Sequence, residues 1–164
     1  MNYLMSDIRS KILDLDTLKE KSITIQNSGK KIVFTNGCFD ILHSGHIHTL
    51  SEAKKNGDIL IVAVNSDSSV RELKGKNRPI NNQNDRALII ACLSFVDYVI
   101  IFDDETPEKI ICNLLPDVLI KGKDYEGKMI AGENCLKANG KVIKLIDLIE
   151  NTSTTNIINK ILNR

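Results

Sequence analysis

The stretch "FTNGCFDILHSGH", residues 34–46, decides the fold of this chain. The run of Val and Ile that leads into it ends at Asn36 and Gly37, and a helix is predicted to begin near His43. A buried strand that passes through a glycine turn into a helix is the unit from which open parallel sheets are built. Ligands bind at the carboxyl ends of such strands, where the free N–H groups of a helix start favour an anion. The stretch therefore predicts an α/β fold with an anion site at this turn.

The rest of the chain repeats this strand-and-helix order. Nearly continuous Val- and Ile-rich runs, as expected of strands covered on both faces, predict five strands. They cover residues 30–36, 58–65, 96–102, 116–122 and 140–146. Segments with helical spacing lie between them, at about 43–56, 83–94, 106–114 and 129–138. The alternation predicts a parallel five-stranded sheet with helices on both faces.

The two ends of the chain and one internal segment complete the predicted organisation. A helical stretch begins at Leu13 and stops before the first strand, so residues 1–29 are predicted to form a helical extension to one domain of residues 30–164. The sequence from residue 153 onward predicts a terminal helix that opens on a capping Ser or Thr. Residues 66–85 are predicted to be an irregular loop, because a glycine, a proline and paired asparagines interrupt any period.

Composition and charge narrow the possible classes of function. The chain has 164 residues, is 42% hydrophobic and carries a formal net charge of +1, which fits one domain with a real core. So small a net charge gives no reason to expect nucleic acid or an anionic membrane as a partner. No apolar run at the N-terminus is long enough for a signal peptide or a membrane span, which predicts a cytoplasmic protein.

The four cysteines are widely spaced and form no C-x-x-C pair. This spacing fits neither a zinc knuckle nor a disulfide framework, and it predicts four reduced thiols. They are Cys38, Cys92, Cys112 and Cys135.

Two histidines, His43 and His46, lie three residues apart around Gly45. On a first helical turn they share one side, with Cβ atoms about 5–6 Å apart, so both rings can donate hydrogen bonds to one ligand. Zinc is the rival interpretation, but a helical pair of zinc ligands usually sits at i and i+4 with a third ligand nearby. The preceding strand and the glycines favour phosphate over both zinc and an ordinary helix surface. His48 breaks the spacing and is predicted to be a surface residue.

These residues carry a family resemblance. The segment from Asn36 to His46 resembles the signature of the H-x-G-H nucleotidyltransferase superfamily, and the similarity extends over about residues 30–162. The later motifs resemble the heptose 1-phosphate nucleotidyltransferase branch. They are "GDILIVAVNSD" (57–67), "LKGKNRPI" (73–80), "LPDVLIKGKDY" (115–125), "IAGENCLKANGKVIKL" (130–145) and "STTNIINKI" (153–161).

The resemblance implies a Rossmann-like nucleotidyltransferase fold and a definite reaction. A nucleotidyl group would pass from a nucleoside triphosphate, with ATP favoured, to D-glycero-D-manno-heptose 1-phosphate, releasing pyrophosphate and activating the heptose for lipopolysaccharide or other surface glycans. Two alternatives stay open: the same chemistry on another pair of substrates, such as CTP with glycerol 3-phosphate, and a nucleotide-binding regulatory module without catalysis. The cytidylyltransferases tend to carry an arginine shortly before the serine/threonine motif, and none occurs here between Lys144 and Ser153.

The resemblance also assigns roles to individual residues. The implied catalytic residues are His43, His46 and Lys121, with Lys123 as a weaker candidate than Lys121. Nucleotide binding is implied for Asn36, Gly37, Cys38, Phe39, Gly45, Gly122, Asp124, Ser153, Thr154 and Thr155. Acceptor binding is implied for Asp40, Asn65, Lys74 and Arg78, although Asp40 equally fits a role in orienting a backbone turn.

The implied cofactor and partners are small molecules. Mg²⁺ would arrive with the triphosphate and need few protein ligands, so no metal-ligating residue is predicted. A nucleoside triphosphate and a sugar phosphate are the expected partners, together with a possible homodimer and a functional link to a separate heptose kinase and phosphatase. If the histidine rings act as cations, activity should fall as they lose protons at higher pH.

Overall fold

The computed structural model describes residues 3–149 and 152–163, and the outermost residues of the two predicted domain ranges lie outside them. Five parallel strands form one sheet in the order β3-β2-β1-β4-β5. They are β1 (Ile32–Gly37), β2 (Ile59–Asn65), β3 (Tyr98–Phe102), β4 (Val118–Gly122) and β5 (Val142–Ile146). The five predicted strands are therefore confirmed, each shorter than predicted at its start.

Eight α-helices and one short 3-10 helix accompany the sheet within the described residues. The helices are α1 (Tyr3–Arg9), α2 (Leu15–Asn27), α3 (Ser44–Lys54), α4 (Asp67–Lys74), α5 (Gln83–Ala91), α6 (Glu108–Leu114), α7 (Glu133–Ala138) and α8 (Thr154–Leu162). The 3-10 helix, Lys123–Tyr125, follows β4 directly. No helix among these residues has the length and apolar character needed to cross a membrane.

Alternate side chains of each strand enter two separate cores, which places helices on both faces of the sheet. Val33 of β1 packs in a core with Leu50 of α3 and Ile90 of α5. Its neighbour Phe34 points the other way, into a core that holds Leu18 of α2 and residues of α6 and α7. In β1 to β4 the near-continuous Val and Ile runs thus have the physical cause that the sequence suggested, namely burial on both faces, whereas the edge strand β5 has no buried residue.

The segment before β1 packs on the same sheet. Asp14 caps α2, since its side chain accepts a hydrogen bond from the N–H of Thr17. Leu18 of that helix is fully buried. Just before α2, Ile12 forms a parallel bridge with Val99 of the edge strand β3. The predicted helical extension is therefore packed against the domain, while its boundary at residue 30 stays a prediction.

The prediction of an irregular loop over residues 66–85 is wrong for its first half. Residues Asp67–Lys74 form α4, which is capped by the Ser66 side chain and ends at Gly75, a residue in the left-handed region at φ 94°. Only Ser69 and Val70 of this helix are buried. This helix is short, and only Val70 and Leu73 of its eight residues are apolar, so its composition resembles that of a polar loop.

The prediction of four reduced thiols is also wrong, because Cys112 and Cys135 form a disulfide between α6 and α7. The two helices can lie close together because Gly132, which precedes α7, has no side chain. A Cβ atom at Gly132 would come within 2.5 Å of Ile111 Cγ2 on α6. Cys38 and Cys92 are free, as predicted.

The strand order fixes where a ligand can bind. The chain passes from β1 to β2 and β3 on one side, then crosses back so that β4 lies on the other side of β1. At this reversal the loops that follow β1 and β4 diverge and leave a crevice at the carboxyl ends of the strands. The turn that follows β1, residues 38–43, lies at this crevice.

Candidate active site

A cavity of about 1180 Å³ occupies the crevice, and residues that end or follow all five strands line it. All of the predicted site residues line this cavity except Gly122 and the candidate Lys123. Gly122 instead packs against Leu148, a residue of the cavity wall, since a Cβ atom at Gly122 would come within 2.9 Å of Leu148 Cδ2. The sequence motifs, which are spread over some 120 residues, thus converge on one site.

The two motif histidines form a stacked pair at the start of α3. His43 occupies the N-cap position in an extended conformation, and its ring stacks on that of His46 with centroids 3.8 Å apart and an interplanar angle of 23°. Phe39 meets His46 edge-on at 5.2 Å. The Nδ1 atoms of both histidines are buried without a hydrogen-bond partner among the described residues. A ligand in the cavity would therefore meet each ring through Nε2.

Burial sets the charge of this pair. Desolvation lowers the pKa of His46 from 6.5 to about 4, with a smaller contribution from the adjacent His43. Desolvation also lowers the pKa of His43. At neutral pH the rings of the ligand-free protein are thus neutral. A neutral ring still carries one N–H, so each histidine can donate a hydrogen bond to phosphate from Nε2 in the tautomer that has its proton there.

The lowered pKa of His46 predicts a pH dependence of stability. The unfolded chain binds a proton near pH 6.5, whereas the folded protein resists it until about pH 4, so stability is retained above 6.5 and lost as pH falls toward 4. The loss should reach up to about 3 kcal/mol. Urea unfolding of the wild type and of His46→Gln from pH 4 to 7 measures it, with His48→Gln as the control. If the free energy of unfolding changes with pH equally in all three proteins, the pH dependence does not arise from His46.

Two helix N-termini meet beside the histidine pair. Gly45 in the first turn of α3 leaves room for the segment that leads into α8, since a Cβ atom at Gly45 would lie 2.5 Å from Thr152 Oγ1. Ser153 caps α8 by accepting a hydrogen bond from the N–H of Asn156 at 3.0 Å. Thr154 is buried, and its hydroxyl lies 3.4 Å from the carbonyl oxygen of Ile41. The positive ends of two helix dipoles therefore face one part of the cavity.

Lys121, near the end of β4, is a buried cation in the wall of the same cavity. It is 5% exposed, and its Nζ donates a hydrogen bond to Asn36 Oδ1 at 2.5 Å and lies 4.8 Å from the centre of the Tyr125 ring. Desolvation lowers the pKa of Lys121 to about 8, while the nearby Asp124 carboxylate opposes that shift. Lys123 lies outside the cavity and pairs with Asp147 on the surface. Lys121 is therefore the lysine available to a phosphate.

Asp40 and Arg78, which both line the cavity, form an ion pair in which the carboxylate is fully buried. The Asp40 carboxylate has no exposed surface and accepts hydrogen bonds from Arg78 Nε at 2.5 Å and from the N–H groups of Ile80 and Asn81. Asp40 thus orients the backbone at Ile80 and Asn81, while its predicted contact with the acceptor stays a prediction. Arg78 engages the described residues through Nε, which leaves its terminal nitrogens for a ligand.

Asn65 and Lys74 differ in how they reach the cavity. Asn65, at the end of β2, is 4% exposed, and its amide nitrogen donates to Ser69 Oγ at 2.9 Å. Lys74, at the end of α4, is exposed at the rim. The Asn65 side chain is thus fixed before any ligand arrives, whereas Lys74 offers a mobile charge at the entrance.

Two wall segments and one arginine were missed by residue-level sequence reasoning. Residues 105–108 follow β3 and residues 129–134 lead into α7, and both line the cavity. They carry no phosphate-binding signature, so only their position after predicted strands could have indicated them. Arg86 does not line the cavity, but it is fully buried and donates hydrogen bonds to three segments that do.

The site does not present a protein cage for a metal ion. Among residues 3–149 and 152–163, no group of three His, Cys, Asp or Glu side chains is arranged to hold one. Stacked rings also cannot both direct a nitrogen at a single zinc ion with tetrahedral geometry. The donors here are neutral or cationic, which suits an anion.

Comparison with known proteins agrees with this geometry. The model of the cytidylyltransferase-like family matches residues 34–160. The chain is 54% identical over 156 residues to the bifunctional protein HldE of Campylobacter fetus and 50% identical over 153 residues to that of Wolinella succinogenes. These matches cover 95% and 93% of the chain but 32% and 31% of the relatives, so the chain spans about a third of their length.

Two solved structures share the architecture. A lipopolysaccharide core biosynthesis protein from Thermoplasma volcanium is 35% identical with a TM-score of 0.60, and the match covers 76% of this chain and all of that one. A pantoate-beta-alanine ligase from Francisella tularensis has a TM-score of 0.55 at 18% identity, over 93% of this chain and 79% of its own. The second likeness concerns the fold alone, and together they confirm the predicted Rossmann-like nucleotidyltransferase fold.

Proposed function

Because the chain belongs to the cytidylyltransferase-like family, we propose that it is a nucleotidyltransferase that transfers AMP from ATP to D-glycero-D-manno-heptose 1-phosphate. The observation that carries the chemistry is the stacked pair His43 and His46, which lines one cavity together with two helix N-termini and Lys121. The choice of acceptor rests on the extended resemblance to the heptose branch. It is supported by the match to a lipopolysaccharide core biosynthesis protein.

The reaction asks the protein for positioning and electrostatic stabilisation. A phosphate oxygen of the sugar phosphate attacks the α-phosphorus in line, a new P–O bond forms, and the bond to the β-phosphate oxygen breaks to release pyrophosphate. Negative charge grows on the oxygens around the α-phosphorus and on the leaving group. The Nε2–H groups of His43 and His46 and the ammonium of Lys121 can donate to those oxygens, so no covalent intermediate is needed.

The acceptor would bind at the end of the cavity that Arg78 occupies. Arg78 is held through Nε by Asp40, so its terminal nitrogens can form the planar, two-pronged contact that suits a phosphate. Lys74 at the rim adds a second positive charge. In this arrangement the Asp40 carboxylate beside the acceptor is already paired with Arg78.

Mg²⁺ enters this scheme as part of the substrate. The triphosphate carries the oxygen ligands that the ion prefers, and it retains most of its water when bound to phosphates. The cavity supplies cationic and N–H donors to the remaining oxygens. Asp124, which lines the cavity at the end of β4, is a carboxylate within the site that a ribose hydroxyl or a metal-bound water can approach.

The alternative acceptor is a polyol phosphate used with CTP. The family name and the H-x-G-H motif fit it equally well, but the sequence has no arginine between Lys144 and Ser153, where the cytidylyltransferases tend to carry one. A regulatory module without catalysis is disfavoured because a full set of donors, including His43, His46, Lys121 and Arg78, lines one cavity.

The proposed function has a direct test. Release of pyrophosphate is measured with each of four nucleoside triphosphates against a panel of phosphates that includes both anomers of heptose 1-phosphate, glycerol 3-phosphate and related sugar phosphates. The expected result is turnover with heptose 1-phosphate and ATP. Turnover with glycerol 3-phosphate and CTP alone would establish the alternative, and no turnover with any heptose 1-phosphate would overturn the proposal.

The cellular setting is proposed on the same grounds. Relatives called bifunctional extend over about three times the matched length, which fits a second activity outside the matched part. A heptose kinase and a phosphatase would then supply the acceptor, and the cytoplasm would supply ATP. A homodimer is the proposed oligomeric state, and light scattering in solution tests it.

A further inference from the structure

Arg86 on α5 is a fully buried arginine that the proposed chemistry does not use. It is 0% exposed, and it stands behind the cavity rather than in its wall. Burying a guanidinium is costly unless its N–H groups are all satisfied in good geometry. The groups to which Arg86 donates hydrogen bonds therefore indicate its role.

The partners of Arg86 are three carbonyl oxygens and one carboxylate. Nη1 donates to Cys38 O at 2.6 Å and to Asn65 O at 2.7 Å, and Nε donates to Asn81 O at 3.0 Å. Nη2 pairs with Asp67 Oδ1 at 2.7 Å. The planar fork of one side chain thus holds backbone from three separate segments, which a lysine cannot do.

Each of these carbonyls belongs to a segment of the cavity. Cys38 lies in the turn after β1, here called the nucleotide turn (residues 36–40), and Asn65 ends β2. Asn81 ends the segment that carries Arg78, here called the acceptor loop (residues 78–81). Arg86 therefore joins the two halves of the site from behind.

A second set of contacts joins the same two segments from the front. Asp40 of the nucleotide turn accepts from the N–H groups of Ile80 and Asn81, and Asn81 Nδ2 donates to Asp40 O at 2.9 Å. Every one of these bonds crosses between the nucleotide turn and the acceptor loop. Neither segment can shift without straining bonds to the other, and among the described residues Arg86 is the one side chain that bonds to both and to β2.

We propose that Arg86 is a positioning residue that fixes the nucleotide turn relative to the acceptor loop, and so sets the approach of the two substrates. The proposal rests on the proposed function, because it takes the two segments to hold the two reactants. An in-line displacement is sensitive to such placement, since a shift of about 1 Å between reacting groups can cost about 10²-fold in rate. The residue acts without touching either substrate.

A merely structural role makes a different kinetic prediction. If loss of Arg86 only unfolds part of the population, the maximal rate falls with the folded fraction, but the surviving enzyme keeps its KM for both substrates. If Arg86 positions both segments, the KM for the nucleotide and the KM for the acceptor both rise in a protein that stays folded. The two KM values therefore discriminate between the roles.

The experiment compares Arg86→Lys and Arg86→Gln with Arg71→Gln, whose arginine is exposed on α4 and away from the cavity. We expect both Arg86 variants to raise each KM about tenfold and to lower kcat about 10²-fold, with the lysine variant less affected. Arg71→Gln should match the wild type. Asn81→Ala, which removes the bond from Asn81 Nδ2 to Asp40 O between the two segments but keeps Arg86, should raise both KM values by a smaller factor.

The outcomes separate this proposal from the proposed function. A wild type that turns over no sugar or polyol phosphate overturns the proposed function before any variant is made. An active wild type whose Arg86 variants keep both KM values overturns the positioning role. If both Arg86 variants unfold, as judged by circular dichroism, and Asn81→Ala keeps the wild-type KM values, Arg86 is a structural residue and the proposal is wrong.

Discussion

Changing His46 to alanine is expected to lower kcat by about 10²–10³ while the protein stays folded, because removal of one preorganised donor to a developing oxyanion costs that much. The ring stacks on His43 and meets Phe39 edge-on, so its loss also removes some packing. That packing loss should amount to about 1 kcal/mol of unfolding free energy. Pyrophosphate release under saturating substrates measures the effect on turnover.

His48→Ala is the matched control for this prediction. His48 lies on the same helix and does not line the cavity, so its replacement should leave kcat within about twofold of the wild type. Urea denaturation of both variants separates a lost donor from a lost fold. If His46→Ala loses activity only in proportion to its unfolded fraction, the ring is a core residue and the phosphate interpretation of the H-x-G-H motif fails.

His46→Gln adds a test of the charge state. Glutamine can still donate one neutral hydrogen bond, as the Nε2–H of a neutral ring does. Part of the activity should therefore return in this variant, which a catalytic role for a cationic ring would not allow. Near-complete loss in both variants would show that the ring must be protonated when the triphosphate is bound.

The sheet could be predicted from the sequence because burial on both faces leaves a strong local signal. Residues of β2 such as Leu60, Ile61 and Val62 are all fully buried, although they alternate between the two cores. The turn after β1 could also be predicted, because the strand end, the glycines and the histidines are close together in the sequence. Local patterns of this kind predict local structure well.

Tertiary contacts account for what the sequence did not predict. The four residues that Arg86 bonds to are spread along the chain from Cys38 to Asn81, and nothing near "QNDRAL" indicates that this arginine is buried. Cys112 and Cys135 are 23 residues apart and meet only because α6 and α7 pack together. In both cases the environment of the side chain is created by segments that fold against it from elsewhere.

The residues proposed to bind phosphate were also easier to predict than residues 129–134, which form another part of the cavity wall. His43, His46 and the hydroxyls at residues 153–155 lie at helix starts, where capping and dipoles restrict the residue types. Residues 129–134 line the cavity mainly by position, as in the case of Gly132, whose left-handed backbone lets α7 approach α6. Residues in such a wall are selected for fitting the shape of the cavity and not for a particular chemical group. A single sequence does not reveal that requirement.

Changing Lys121 to methionine is expected to lower kcat/KM for the nucleotide by about 10²-fold, because the cavity loses its buried cation. Methionine is apolar and of similar length, and replacing a buried charge by a well-packed apolar side chain is often neutral for stability. The loss should therefore appear in kinetics and not in unfolding. Lys123→Met is the control, since Lys123 is exposed and pairs with Asp147.

The pH profile adds an independent test of the Lys121 role. The pKa of Lys121 is lowered to about 8, so the ammonium is present below that pH and is lost above it. We expect kcat/KM for the nucleotide to fall above about pH 8 in the wild type, because this ratio reports the free enzyme. In Lys121→Arg the fall should vanish, since a guanidinium stays charged throughout that range. A wild-type fall that persists unchanged in Lys121→Arg would assign the titration to another group and leave the lysine without its electrostatic role.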